Sequence, residues 1–204
     1  MTTINSLTYE ELGSTAQRDR RKRILDATIA MASKGGFDAV QMRAVAERAD
    51  VALGTLYRYF PSKIHLLVSA LAREFEQAQT NFSRKPIPGD TAPDRVMYVL
   101  GRTTRSLQRD PNLTEALTRA FMFADASVAN EIHVVGMHVV RMLMRAMKDP
   151  DTDSADVEPT EEDIAIARVI GDVWLASLVH WVTGRASAVD VGKSMDVAVR
   201  LLLR

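Results

Sequence analysis

An all-α fold is what this sequence predicts, and three observations predict it. Apolar residues recur at helical spacing along almost the whole chain. No stretch sustains a period-two alternation, and no Asn-Gly or Asp-Gly hairpin dipeptide occurs. About nine helices follow, arranged as a small N-terminal three-helix unit and a larger helical domain.

Residues 1–15 are expected to form a flexible tail. The first helix runs from Ala16 to Lys34, with Ile24, Ala27, Thr28 and Met31 on one face, and the glycines of "KGGF" supply its left-handed cap. A second covers Gln41 to Ala49 with Met42, Val45, Ala46 and Ala49 inward. A turn at 50–52 leads to a third, Leu53 to Phe60, which Pro61 closes. Ser62 is placed to cap a fourth that continues to Phe82 on a stripe of Ile64, Leu67, Leu71, Phe75 and Ala78. "SRKPIPGDTAP", 83–93, is the clearest break. Helices are then expected at 93–109, 112–123, 125–148, 160–185 and 189–204, with an acidic loop at 149–159. The domains so defined are 16–61 and 62–204.

Composition narrows the function. The 204 residues include no cysteine, which excludes disulfides and thiolate chemistry and suits a reducing cytoplasm. The start "MTTINSLTYEELG" lacks the features of a secretory signal. The longest apolar region, Ile164 to Val182, contains Arg168 and Asp172, so no membrane span is expected. Net charge is zero but uneven: residues 18–63 hold ten basic and five acidic side chains, leaving the remainder acidic. A basic N-terminal quarter fits a module that binds a polyanion.

Two short helices joined by a tight turn are the helix-turn-helix arrangement, whose second helix enters the DNA major groove. Projected at about 100° per residue, Leu53, Leu56 and Phe60 fall together as the inward face. Gly54, Thr55, Arg58 and Tyr59 lie opposite, with Tyr57 at the edge. Thr55 offers a hydroxyl and a methyl to base edges, and Arg58 reaches for guanine. Tyr57 and Tyr59 carry phenols toward phosphates, while Gly54 clears room for close approach. Lys63 opens the fourth helix, where an ammonium and the positive helix end share a phosphate. Gln41 and Arg43 open the second helix as further phosphate contacts.

The stretch "QMRAVAERADVALGTLYRYFPSKIHLL", 41–67, resembles the DNA-binding signature of the TetR family of bacterial repressors. That resemblance implies a nine-helix plan in which helices 1–3 bind an operator. The fourth helix then links to a ligand-binding domain, and the last two form a four-helix homodimer interface. It also assigns Gln41, Arg43, Thr55, Tyr57, Tyr59 and Lys63 as DNA contacts. The sequence departs from the family's frequent Ser-Lys-Gly: Ala52-Leu53-Gly54 lacks the serine cap and the lysine contact. "RDRRKR", 18–23, precedes the first helix either as a basic arm or as its solvated start.

The helix over 160–185 has a wider apolar arc than one buried face needs, which fits a partner subunit beyond the protein's own core. The last helix, with Met195, Val199 and Leu202, is its companion. Methionines crowd helices 6 and 7, and flexible thioethers line adaptable cavities as readily as they fill ordinary core. The candidate pocket residues are Leu100, Thr104, Phe121, Met122, Met137, Met144, Trp174, Leu178 and Trp181. Arg102, Arg105 and Arg109 share a face that is solvated by default, and would meet phosphates if the ligand carried them.

Further segments, "LTEALTRAFMFADAS" and "IARVIGDVWLASLVHWVTGRASA" among them, are similar to a group of actinobacterial TetR-type repressors of sterol catabolism. That similarity implies a steroid-derived coenzyme A thioester as the hydrophobic effector, the alternative being a multidrug or fatty acyl-CoA ligand. An enzyme has little support. The four histidines form no i, i+4 metal pair, and "VGKS" at 191–194 has Ser187 where a phosphate loop requires glycine. Glu161, Glu162 and Asp163 fan around a helix start without converging. No metal or cofactor is expected.

Overall fold

Helix ends in this chain are set by side chains the sequence supplies. Ser62, Thr91 and Asp110 each accept the backbone N–H three residues on, from His65, Asp94 and Leu113. Thr160 with Asp163, and Ser187 with Asp190, form reciprocal capping boxes. Such caps each contribute about 1 kcal/mol. Hydrogen bonds from the Ser187 hydroxyl and amide hold the Asp190 pKa down at about 2.

The computed structural model describes residues 15–84, 86–148 and 160–203. Among these it has nine α-helices, one 3-10 turn and no strand. The helices are α1 (Thr15–Ala39), α2 (Met42–Arg48), α3 (Leu53–Tyr59), α4 (Lys63–Ser83) and α5 (Ala92–Gln108). After them come α6 (Pro111–Met122), the turn Ala126–Val128, α7 (Ala129–Met147), α8 (Glu161–Val182) and α9 (Ala188–Leu202). Most of the tail predicted for 1–15 and the acidic loop predicted for 149–159 lie outside the described residues.

One open alternative and one boundary are decided at α1. The basic run 18–23 is the start of this helix, the second of its two readings, and not an arm preceding it. The chain also continues helically past Lys34 to Ala39, across a break at Gly35 and Gly36. Of the two, Gly36 has positive φ (66°, with ψ −159°), a conformation that side chains resist. A Cβ there would lie 2.9 Å from the Glu115 carboxylate on α6. Gly36→Ala is therefore expected to cost about 2 kcal/mol, read as a lowered urea midpoint.

The core places α7 centrally, against α4, α5 and α8, with α8 paired to α9. The N-terminal unit sits on α6 and α4: α1 lies along α6, and Arg73 of α4 reaches Asp26 of α1 at 2.8 Å. By length and composition α8 is apolar enough to cross a membrane. Its apolar residues instead serve packing: Ala167, Ile170, Trp174 and Leu178 are buried, while Arg168, Val169 and Asp172 are exposed.

Candidate nucleic-acid interface and effector cavity

Helix α3 is held from beneath by two side chains. Leu56 is fully buried, and Phe60, 2% exposed, closes the helix with the Arg21 guanidinium 5.5 Å from its ring. Gly54, Tyr57 and Arg58 are exposed, and Thr55 and Tyr59 are half-buried. Apart from its chain neighbours and the backbone of α3 itself, nothing lies within 4 Å of a Cβ built on Gly54, so its smallness serves no packing against the rest of the protein and leaves the outer face open. Gln41 is the exposed N-cap of α2 and its side chain caps no amide. Arg43 is exposed, 3.6 Å from Glu47. Ala52, as its chemistry dictates, gives α3 no side-chain cap.

Leu53 and Tyr59 depart from the helical projection. Leu53, expected inward, is 39% exposed, and it and Tyr57 (45% exposed) are one turn apart. The reason is length. With only seven residues, α3 is anchored by Leu56 in its middle and Phe60 at its end, and none of its first three residues is buried. Tyr59 sits beside the anchor Phe60, their ring centroids 6.3 Å apart, and is drawn partly into the core. The outward surface thus combines Arg58 with two apolar groups, Leu53 and Tyr57, suited to thymine methyls. Tyr57→Ala is expected to weaken duplex binding roughly tenfold with an unchanged melting temperature. Tyr59→Ala should lower both, because it also removes core packing; equal melting curves for the two variants would contradict this division.

Lys63, half-buried at the first turn of α4, carries its ammonium 3.8 Å from the centre of the Phe37 ring. Burial pushes its pKa below the ordinary lysine value.

Within the larger domain an apolar chamber of about 120 Å³ lies between α4, α6, α7 and α8. Phe75, Leu117, Phe121, Val139, Trp174 and Leu178 form much of its wall. The Trp174 indole N–H donates to Thr104 Oγ1 at 2.9 Å, and its ring meets the Phe75 ring edge-on at 5.7 Å. This volume is below the roughly 300–1,000 Å³ of pockets that hold drug-sized ligands. A larger guest enters only as the surrounding helices part.

At Val140 and Arg168 the chamber adjoins a second cavity of about 1010 Å³, between the distal ends of α4, α7 and α8. Arg84, Arg95, Arg141, Arg145, Lys148 and Arg168 line this vestibule, and no carboxylate does among the described residues. Arg95 and Arg145 are committed to structure. Arg95, buried, donates to the carbonyls of Gly89, Asp90, Ala146 and Met147, and Arg145 donates to those of Phe82 and Ser83 at the end of α4. Arg84, Arg141 and Arg168 are exposed and form no ion pair among the described residues.

Phe121, Trp174 and Leu178 thus sit on the chamber wall, and Met137 and Met144 on the vestibule. Thr104 supports the chamber as the indole's acceptor, and Leu100 is core, 1% exposed. Leu100 and Thr104 are therefore behind the walls, and two more candidates lie off them. Met122 is 57% exposed because α6 ends there, and Trp181 is half-buried beyond the last wall residue of α8. Arg102, Arg105 and Arg109 line a separate cleft of about 430 Å³ between α4 and α5, which also holds Glu74. Sequence reasoning missed the vestibule arginines. Arg141 and Arg145 at i, i+4 near the end of α7 were the available signal, but their convergence with Arg84 and Arg168 is tertiary.

Known proteins resemble this chain over nearly its whole length. The family described as "Bacterial regulatory proteins, tetR family" matches residues 24–70, and "Tetracyclin repressor-like, C-terminal domain" matches 89–202. The chain is 59% identical over 203 residues to the HTH-type transcriptional repressor KstR of Mycolicibacterium smegmatis, covering 100% of this chain and 96% of that one. It is also 59% identical over 198 residues to the repressor of the same name from Rhodococcus jostii, covering 97% and 89%. Among solved structures, a TetR transcriptional regulator from Rhodococcus sp. RHA1 superposes with a TM-score of 0.82 at 32% identity, covering 92% of this chain and 97% of that one. The Thermus thermophilus FadR repressor in complex with lauroyl-CoA shares the fold, with a TM-score of 0.69 at 18% identity, covering 90% and 93%.

Proposed function

The chain belongs to the TetR family of bacterial transcriptional regulators, and on that premise we propose that it represses steroid-catabolism genes until a steroid-derived CoA thioester releases it. It binds a palindromic operator as a homodimer in the cytoplasm. The observation that carries the effector assignment is the junction at Val140 and Arg168. There an apolar, aromatic-walled chamber meets a large vestibule lined by cations and no carboxylate among the described residues. A molecule with a rigid hydrocarbon body and a polyanionic end matches both halves. Charge-assisted hydrogen bonds from Arg84, Arg141 and Arg168 would take the phosphates.

Dimerisation accounts for the outward apolar groups of the last two helices. Val169 on α8 and Val189, Val197 and Leu201 on α9 are 45%, 67%, 61% and 57% exposed, and the three on α9 recur along one face, whereas Met195 and Val199, expected at this seam, are buried in the protomer's own core. A second copy against them buries this surface and sets two α3 helices at the spacing of adjacent major grooves. Thr55, Tyr57, Arg58, Gln41, Arg43 and Lys63 then meet the duplex, with Leu53 added. A guest that prefers parted helices around the chamber shifts the population toward a form whose reading heads no longer match the grooves. The shift is bounded by its differential affinity for the two forms.

Titration of the protein–operator complex tests the reading. A steroid acyl-CoA should release the duplex, while the free acid and CoA alone should not. Equal release by a fatty acyl-CoA of matched length would favour the alternative, a fatty acyl sensor. Release by the free acid would remove the vestibule from recognition.

A further inference from the structure

We infer that Phe37 is the residue that positions Lys63 for the operator backbone, and that it does so under the control of α6, which also walls the apolar chamber. The inference rests on the operator-binding reading above. Lys63 carries its ammonium 3.8 Å from the Phe37 ring centre, a distance at which the ring quadrupole attracts a cation. The stack therefore restricts a side chain whose four-carbon stem would otherwise sample many rotamers.

Phe37 is in turn fixed by α6. The break at Gly36 turns the Phe37 amide toward α6, where it donates to Glu115 Oε2 at 3.0 Å. One helical turn on, the Arg119 guanidinium lies 4.4 Å from the same ring centre. Arg119 is tied to Glu115 at 3.6 Å and to Asp38 at 3.5 Å. Asn112 completes the seat by donating to the Ser33 carbonyl at 3.1 Å. The opposite side of these same turns, Thr114, Leu117, Thr118 and Phe121, lines the chamber. Displacing α6 from within consequently moves the Phe37 backbone and ring together. Lys63 is then left without its guide.

Full-length protein carrying Phe37→Leu, Phe37→Tyr or Lys63→Met, and the double variant F37L/K63M, tests this. The probe is the duplex that wild-type protein enriches from a random pool. F37L and K63M should each weaken binding about fivefold and flatten the log-affinity against log-salt slope by about one. The double variant should be no weaker than K63M within about twofold, because both changes remove one interaction. F37Y should match wild type. Independently of DNA, the Lys63 ε-methylene proton signals should be shifted upfield by the ring in wild type and F37Y, and return to ordinary values in F37L.

Losses that multiply in the double variant would overturn the inference, since they would mark Phe37 as a structural residue only. So would Lys63 ε signals unaffected by F37L. Enrichment of no duplex by the wild-type protein would instead sink the operator reading itself, with the proton signals still deciding whether the stack exists.

Discussion

Trp174→Ala is expected to lower folding stability by about 3–5 kcal/mol. Three losses combine. The indole is 2% exposed, so its removal takes a large apolar area out of the core. Its edge contact with Phe75 at 5.7 Å is lost, and Thr104 Oγ1 loses its donor at 2.9 Å. The new void also opens into the existing chamber, which keeps the surrounding helices from collapsing to fill it. In thermal unfolding at fixed protein concentration the midpoint should drop by roughly 6–20 °C. Trp174→Phe keeps most of the volume and should cost about 1 kcal/mol, the share of the hydrogen bond. A similar cost for both variants would show that packing around the ring is not what Trp174 contributes.

Reversing charge at Arg141 and Arg168 together, as R141E/R168E, should reduce the concentration response to a CoA thioester on the order of 100-fold. Operator affinity and melting temperature should stay as they were, since both side chains are exposed and make no ion pair among the described residues. Arg95 is the contrast. It donates to four backbone carbonyls from a buried position, so Arg95→Ala should destabilise the fold whatever the effector. If the double reversal leaves the thioester response intact while Arg102→Glu abolishes it, the polyanionic end belongs in the cleft between α4 and α5.

Local chemistry explains which parts of this protein could be read from its residues. Ser62 was legible as the cap of α4, because a cap needs only neighbours three residues away. Leu56 and Phe60 were legible as anchors because a helical period places them on one face. Leu53 failed on the same argument: periodicity states which face a residue shares, not whether the core reaches that end of the helix.

Membership of the TetR family, the all-α class and the order of the helices were determined by the sequence alone, because each rests on interactions within a few residues or on a contiguous motif. Only the tertiary structure decided that Met122 faces solvent, that Arg84, Arg141 and Arg168 meet in one vestibule, and that Phe37 lies between α6 and the Lys63 ammonium. Those facts depend on how far apart helices distant in sequence come to rest. That spacing is set by the packing of whole side chains in three dimensions, and no period along the chain records it.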